Sequence, residues 1–77
     1  MNLTILKLEE AAKSERETVN AIERDIIEAQ NTGVLSWETE EEYNKRIQLL
    51  TESLNLYQEN VNRIEDLIQI IKNTKAF

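Results

Sequence analysis

Apolar side chains in the first half of the chain recur at alternating intervals of three and four residues. They are Ile5, Leu8, Ala12, Val19, Ile22, Ile26 and Ala29, with one vacancy at Glu15. This spacing is that of the a and d core positions of a coiled coil, and good helix formers fill the positions between. We therefore predict a first helix over about residues 3–32, with Glu15 as a polar residue in its core stripe.

The second half carries the same repeat without a gap. Its core positions are Tyr43, Ile47, Leu50, Leu54, Tyr57, Val61, Ile64, Ile68 and Ile71. The pattern predicts a second helix over about residues 37–75, with an N-cap at Ser36 or at Thr39, where Glu42 completes a capping box. The acidic residues 38 and 40–42 crowd the first turn, where the helix dipole favours them. A metal or partner site is the alternative interpretation of this acidic run.

Gly33 separates the two repeats and is the only glycine in a chain without proline. We expect it to adopt a left-handed conformation at the end of the first helix, with Val34 folding back on Ala29 as in a Schellman motif. The turn then occupies residues 33–36. The predicted fold is all-α, a single domain over residues 1–77, forming an antiparallel two-helix coiled-coil hairpin that assembles into a four-helix bundle. A second capping box at residues 14–17 leaves a three-helix alternative.

Folding at Gly33 sets an expected register. It brings Ile26 opposite Tyr43 or Ile47, brings Val19 opposite Leu50 or Leu54, and leaves the end of the second helix overhanging the start of the first. Glu15 then either accepts a hydrogen bond from Tyr57 or extends to solvent between the thin helices. Trp37 either packs over the end of the core or stands exposed as a binding residue.

A second apolar stripe on the second helix lies outside these core positions. We predict that a partner binds there, through Leu49, Leu56, Leu67, Ile70 and the tail residue Phe77. Ser53, Asn60 and Arg63 interrupt the stripe, and Leu3, Leu6 and Ile27 form a sparser one on the first helix. Exposed apolar stripes mark interaction sites. The occupant is a second copy, giving a homo-oligomer, or a different protein; a membrane surface is disfavoured because the basic face at Lys72 and Lys75 is small.

Composition narrows the function further. Fifteen acidic residues against nine basic ones give a net charge of −6, so we expect no nucleic-acid binding, which needs a basic face. The chain has no His and no Cys, and therefore lacks the usual general bases, nucleophilic thiols and zinc ligands. We expect no enzymatic activity, no cofactor and no metal. No apolar run is long enough for a membrane span or signal peptide, which predicts a location in the cytoplasm or a host cytoplasm.

An acidic hairpin of this size, with a turn at Asn31-Thr32-Gly33, Leu8-Glu9-Glu10 near its start and a longer second helix, resembles the small two-helix co-chaperones of type III secretion needle subunits. That resemblance implies a chaperone-like adaptor that holds another protein. Two alternatives remain at this stage. One is an inhibitor encoded by a mobile element that blocks a basic groove of its target; the other is a purely structural homo-oligomer.

Overall fold

A computed structural model describes residues 3–74. They form two helices, α1 over Leu3–Thr32 and α2 over Glu40–Asn73, which are joined by residues 33–39. The helices run antiparallel and pack along their lengths, forming an all-α hairpin about 60 Å long and 16 by 13 Å across. α1 continues through residues 14–17 without a break. The three-helix alternative is therefore wrong.

The core follows the predicted a and d positions. Every one of these side chains is buried or half-buried, Glu15 included. The most buried are Ala12, Val19, Ala29, Val61 and Ile68. A pair of helices can cover only the centre of its interface, so small and β-branched residues close to the axis are buried while longer side chains keep an exposed edge.

Gly33 ends α1 with a φ of +74°, as predicted for a left-handed residue after a helix. Its amide donates to the carbonyl oxygen of Ala29 over 2.9 Å, the single hydrogen bond of an αL ending. Val34 remains 46% exposed. The ending is thus a simpler motif than the Schellman motif expected from the sequence, and the following chain turns outward.

Thr39 is the N-cap of α2, so the helix begins at Glu40, three residues later than predicted. The Thr39 Oγ1 accepts from the amide of Glu42 over 3.1 Å, and the Glu42 carboxylate accepts from the amide of Thr39 over 3.0 Å. This is the reciprocal capping box. Arg46, one turn after Glu42, pairs with Glu38. Further along α2, Arg63 pairs with Glu59 at 3.9 Å.

Two ion pairs that cross between the helices fix their register. Arg16 pairs with Glu65 and Glu9 pairs with Lys72, and the residue numbers add up to 81 in both. In agreement, Val19 shares a groove with Val61, and Ile26 shares another with Leu54.

The facing residues predicted from the sequence have numbers that add up to 69–73, whereas the observed ones add up to 80 or 81, so the predicted register was wrong by about seven to twelve residues along α2. The connection over residues 33–39 does not reverse the chain tightly; its residues Leu35 and Glu38 lie beside the first turns of α2 instead. The overhang lies at this end of the hairpin. The other end of α2, expected to overhang, lies beside the early turns of α1 through the pair of Lys72 with Glu9.

Glu15 occupies its core position without a compensating contact. Its Oε2 atom is buried and has no hydrogen-bond partner, and within residues 3–74 no hydrogen bond joins it to Tyr57. The register explains the missing bond, because Glu15 lies level with residues 64–66 of α2 and not with Tyr57. The bond to Tyr57 expected as one alternative is therefore not observed; the side chain is half-buried, with Oε2 shielded from solvent.

Candidate interaction surface

The flat hairpin has two broad faces, and the ion pairs between the helices lie on one of them. We call this the ion-pair face; it carries Arg16–Glu65 and Glu9–Lys72. Asn20, Gln58 and Asn62 extend it with uncharged polar groups. The four charged side chains are about half-exposed, and such pairs contribute roughly 0–1 kcal/mol each to stability. The charges of these two ion pairs are balanced within the chain.

The opposite face carries the α2 stripe, which we define as Leu49, Leu56, Leu67 and Ile70. These side chains are 48% to 61% exposed. Leu49, Leu56 and Ile70 are separated by multiples of seven residues, and Leu67 lies on the adjacent row, so all four lie along one side of α2. Leu49 lines a groove with Arg46 and Ser53, away from the ion-pair face. The four residues predicted for partner binding that lie within residues 3–74 therefore form one exposed stripe.

Small side chains of α1 border the α2 stripe on the same face. Asp25 and Thr32 of α1 share a groove with Arg46 of α2, which places this side of α1 next to the stripe. Counting back in sevens from Asp25 reaches Thr18 and Ala11; the parallel row contains Ala21 and Ser14, between the charged residues Glu28 and Lys7. This row was not predicted from the sequence, although its seven-residue spacing is present there. Between residues 11 and 21 these side chains are short, so the leucines of α2 protrude furthest there; we call this side of the hairpin the stripe face.

The sparser apolar residues of α1 do not join the α2 stripe. Ile27 lines a groove with Glu23 and Gln58 on the ion-pair side of the hairpin. Leu6 precedes Ile27 by three heptads and lies on the same side. Both are exposed, but nearly 32 Å of helix separates them at 1.5 Å per residue. They are isolated apolar residues and do not form a second continuous surface.

Trp37 stands at the tip of the hairpin with 80% of its surface exposed. The prediction that it packs over the end of the core is therefore wrong. Ser36 and Trp37 are the central residues of a turn closed by a hydrogen bond from the Glu38 amide to the Leu35 carbonyl oxygen, over 3.0 Å. Leu35, half-buried, takes the inward position that was expected for the indole. The exposed-residue interpretation of Trp37 agrees with this geometry.

Glu38 and Arg46 form the strongest polar contact beside the stripe. The guanidinium donates from Nε and Nη2 to the two carboxylate oxygens, each over 2.9 Å, and the amide of Leu35 donates to Glu38 Oε1 over 3.3 Å. Arg46 also lies over the ring of Tyr43, 5.4 Å from its centroid. The hydrogen bond from Arg46 lowers the pKa of Glu38, and Glu38 in turn raises the pKa of Arg46. Both residues line the groove that contains Leu49, and their charges neutralise each other.

Several features of the chain bear on other kinds of site. Among residues 3–74, no cluster of three or more acidic side chains is arranged to hold a metal ion, and neither described helix is long and apolar enough to cross a membrane. Phe77, predicted as part of the binding surface, lies outside the described residues. Comparisons with protein families, curated proteins and solved structures found no match to this chain.

Proposed function

We propose that this protein is a non-enzymatic interaction module that binds another protein surface through the α2 stripe. The observation that carries the proposal is the exposure of Leu49, Leu56, Leu67 and Ile70 along one side of a helix whose core positions are already occupied. A helix that packs on a single neighbour needs one apolar side, whereas α2 presents two. The second side is free for another molecule.

The energetics support binding at this surface. Full burial of a Leu or Ile side chain contributes ~1.5–3 kcal/mol, and these four are about half-exposed, so covering them contributes ~3–6 kcal/mol. Association costs offset part of this gain. The remainder suits a complex that forms and dissociates, unless the partner adds contacts at the exposed Trp37.

The narrower role that we propose is a chaperone-like adaptor acting in the cytoplasm, either its own or that of a host. An inhibitor that blocks a basic groove would instead use the excess acidic charge. The two roles differ in salt dependence, because exposed charges are screened within about 8 Å at physiological ionic strength. An adaptor that binds through the α2 stripe should retain its partner when the salt concentration is raised, whereas the inhibitor should lose it.

The test is the double substitution Leu56→Glu with Ile70→Glu. Both residues are exposed, so circular dichroism should show unchanged helicity, while light scattering should show loss of self-association and pull-down from the source cell should show loss of the partner. A matched control adds the same two charges elsewhere on α2, at the exposed positions Asn55 and Gln69. If the double variant keeps both its association state and its partner, the α2 stripe is ordinary surface and the proposal is wrong.

A further inference from the structure

We propose that the α2 stripe binds the α2 stripe of a second copy of this chain, with the two α2 helices antiparallel and the two hairpin tips at opposite ends. This inference rests on the proposed function and names the occupant of the same surface. It depends on the order of apolar and polar residues along the stripe face. When two copies run in opposite directions, this order places apolar residues opposite apolar or small ones and the larger polar residues opposite each other.

The relevant positions along α2 alternate by four and three residues. They are Leu49, Ser53, Leu56, Asn60, Arg63, Leu67 and Ile70, followed by Thr74. When two copies of this pattern meet in antiparallel orientation, residues of the set 49, 56, 63 and 70 face residues of the set 53, 60, 67 and 74 on the second copy. The sequence numbers of any two facing residues then add up to the same total. One of the allowed totals is 123, which places Leu56 against Leu67 of the second copy and Ser53 against Ile70 of the second copy.

That register also matches the polar residues. Asn60 faces Arg63 of the second copy on both sides of the two-fold axis, so a side-chain carbonyl meets a guanidinium. Leu49 faces Thr74 of the second copy, whose hydroxyl already donates to the carbonyl of Ile70 over 2.7 Å and so needs no further acceptor. Apolar residues thus meet apolar or small ones, and the two polar residues meet each other.

The row of small side chains on α1 fits the same arrangement. Within one chain, facing residues of α1 and α2 have numbers that add up to 81, so the middle of the α2 contact is level with residues 19 and 20 of α1. The antiparallel dimer therefore brings the two α1 helices together near Thr18 and Ala21. Both side chains are short, and the Thr18 hydroxyl donates to the carbonyl of Ser14 over 3.2 Å. The α1 helices can therefore approach as the leucines of α2 interlock, and the four helices close into a bundle.

Other arrangements of two copies match less well. Parallel α2 helices place each residue beside its own copy, which brings the two Arg63 guanidinium groups together. Stacking the hairpins with both tips at one end places Leu56 beside Asp25 of the second copy, following the same cross-helix register. Like charges and buried unpaired carboxylates both oppose association.

Single cysteines test the register, since the chain has none of its own. Ser53→Cys and Ile70→Cys are made separately, both at exposed positions. The two sites lie about 26 Å apart along α2 at 1.5 Å per residue, beyond the reach of a disulfide. In the antiparallel dimer, each variant alone should give no disulfide-linked dimer under mild oxidation. An equimolar mixture should give the mixed dimer, several-fold above an Asn55→Cys and Gln69→Cys control mixture.

Three results would overturn the proposal. A disulfide-linked dimer from Ser53→Cys alone would indicate parallel helices. A linked dimer from a mixture of Ser14→Cys with Leu67→Cys would indicate tips at one end. Linkage no greater than in the control mixture would exclude the total of 123, and with it the proposed dimer. In that last case the proposed function still stands if Leu56→Glu with Ile70→Glu abolishes binding to a different protein, so the two failures are distinguishable.

Discussion

The two broad faces of this hairpin are completed in different ways. On the ion-pair face, Arg16 and Glu65 join the two helices within the chain, and Glu9 with Lys72 repeats the contact two turns away. On the stripe face, apolar side chains of α2 stand exposed beside short side chains of α1. Both faces flank the same core and follow the same seven-residue repeat. The comparison shows that the positions beside a coiled-coil core decide which side is available to another molecule.

Two isoleucines that lie two residues apart, one in the core and one on the stripe face, test this division most strongly. Ile68 is 6% exposed in the core and Ile70 is 61% exposed on the stripe face. We expect Ile68→Ala to lower the free energy of unfolding by ~2–5 kcal/mol, a large share of the stability of a small domain. Ile70→Ala should change it by less than about 0.5 kcal/mol in dilute, unassociated protein. Urea unfolding at low concentration measures both; equal losses would show that the stripe face is covered within the monomer.

Glu15 is the one polar side chain at a core position, with a buried oxygen that lacks a partner. Glu15→Leu should raise the free energy of unfolding by roughly 1–3 kcal/mol, because an unsatisfied buried acceptor costs about that much. Glu15→Gln serves as control, since it keeps a polar group of the same size and should not reproduce the gain. A lower thermal midpoint for Glu15→Leu would mean that the carboxylate fixes the pairing of the helices.

Gly33 determines where α1 ends and therefore which faces are formed. Its φ of +74° disfavours other residues, although an added Cβ would meet no atom within 4 Å. Gly33→Val should cost ~1–2 kcal/mol from backbone strain alone. Gly33→Asn should cost less, because Asn tolerates the left-handed region. Equal stability of the Val variant in thermal unfolding would contradict the strained turn.

Glu38 lies in the same groove as Leu49, and its lowered pKa predicts how the stability of the fold depends on pH. The folded-state pKa is lowered below the value in the unfolded chain, so the pair with Arg46 stabilises the fold above the ordinary carboxyl pKa of about 4.3. That contribution is lost as the pH falls through the lower folded-state pKa. Glu38→Gln should therefore lower the thermal midpoint at pH 7, and its difference from the wild type should vanish in acid. A difference that stays constant with pH would separate the effect from ionisation.

The sequence predicted the helices and their core well because both depend on local periodicity. Each core residue from Ile5 to Ile71 lies where its spacing placed it, and Gly33 is left-handed as expected. These properties follow from helix geometry and from the conformational freedom of a single residue. The exposure of the α2 stripe followed in the same way, since a side chain outside the core of a thin pair of helices has nowhere to be buried.

Register and the tip could not be predicted in this manner. They depend on how residues 33–39 return to α2, which is decided by Thr39 as the N-cap and by the contact of Glu38 with Arg46 eight residues later. Two caps were possible from the sequence, and the choice of Thr39 over Ser36 lengthened the connection. The exposure of Trp37 has the same cause, because a turn centred on residues 36 and 37 directs the indole away from the core.

The long, thin shape of the hairpin has a consequence for how it folds. A contact between α1 and α2 encloses a longer loop of chain the further it lies from the tip. Contacts near Ala29 and Leu50 close short loops, while Glu9 and Lys72 close nearly the whole chain. The entropy of loop closure therefore favours formation at the tip first, followed by growth toward the termini one turn at a time. The end of the hairpin opposite the tip is therefore the last part to form and the first to separate, and its local unfolding leaves the contacts at the tip intact.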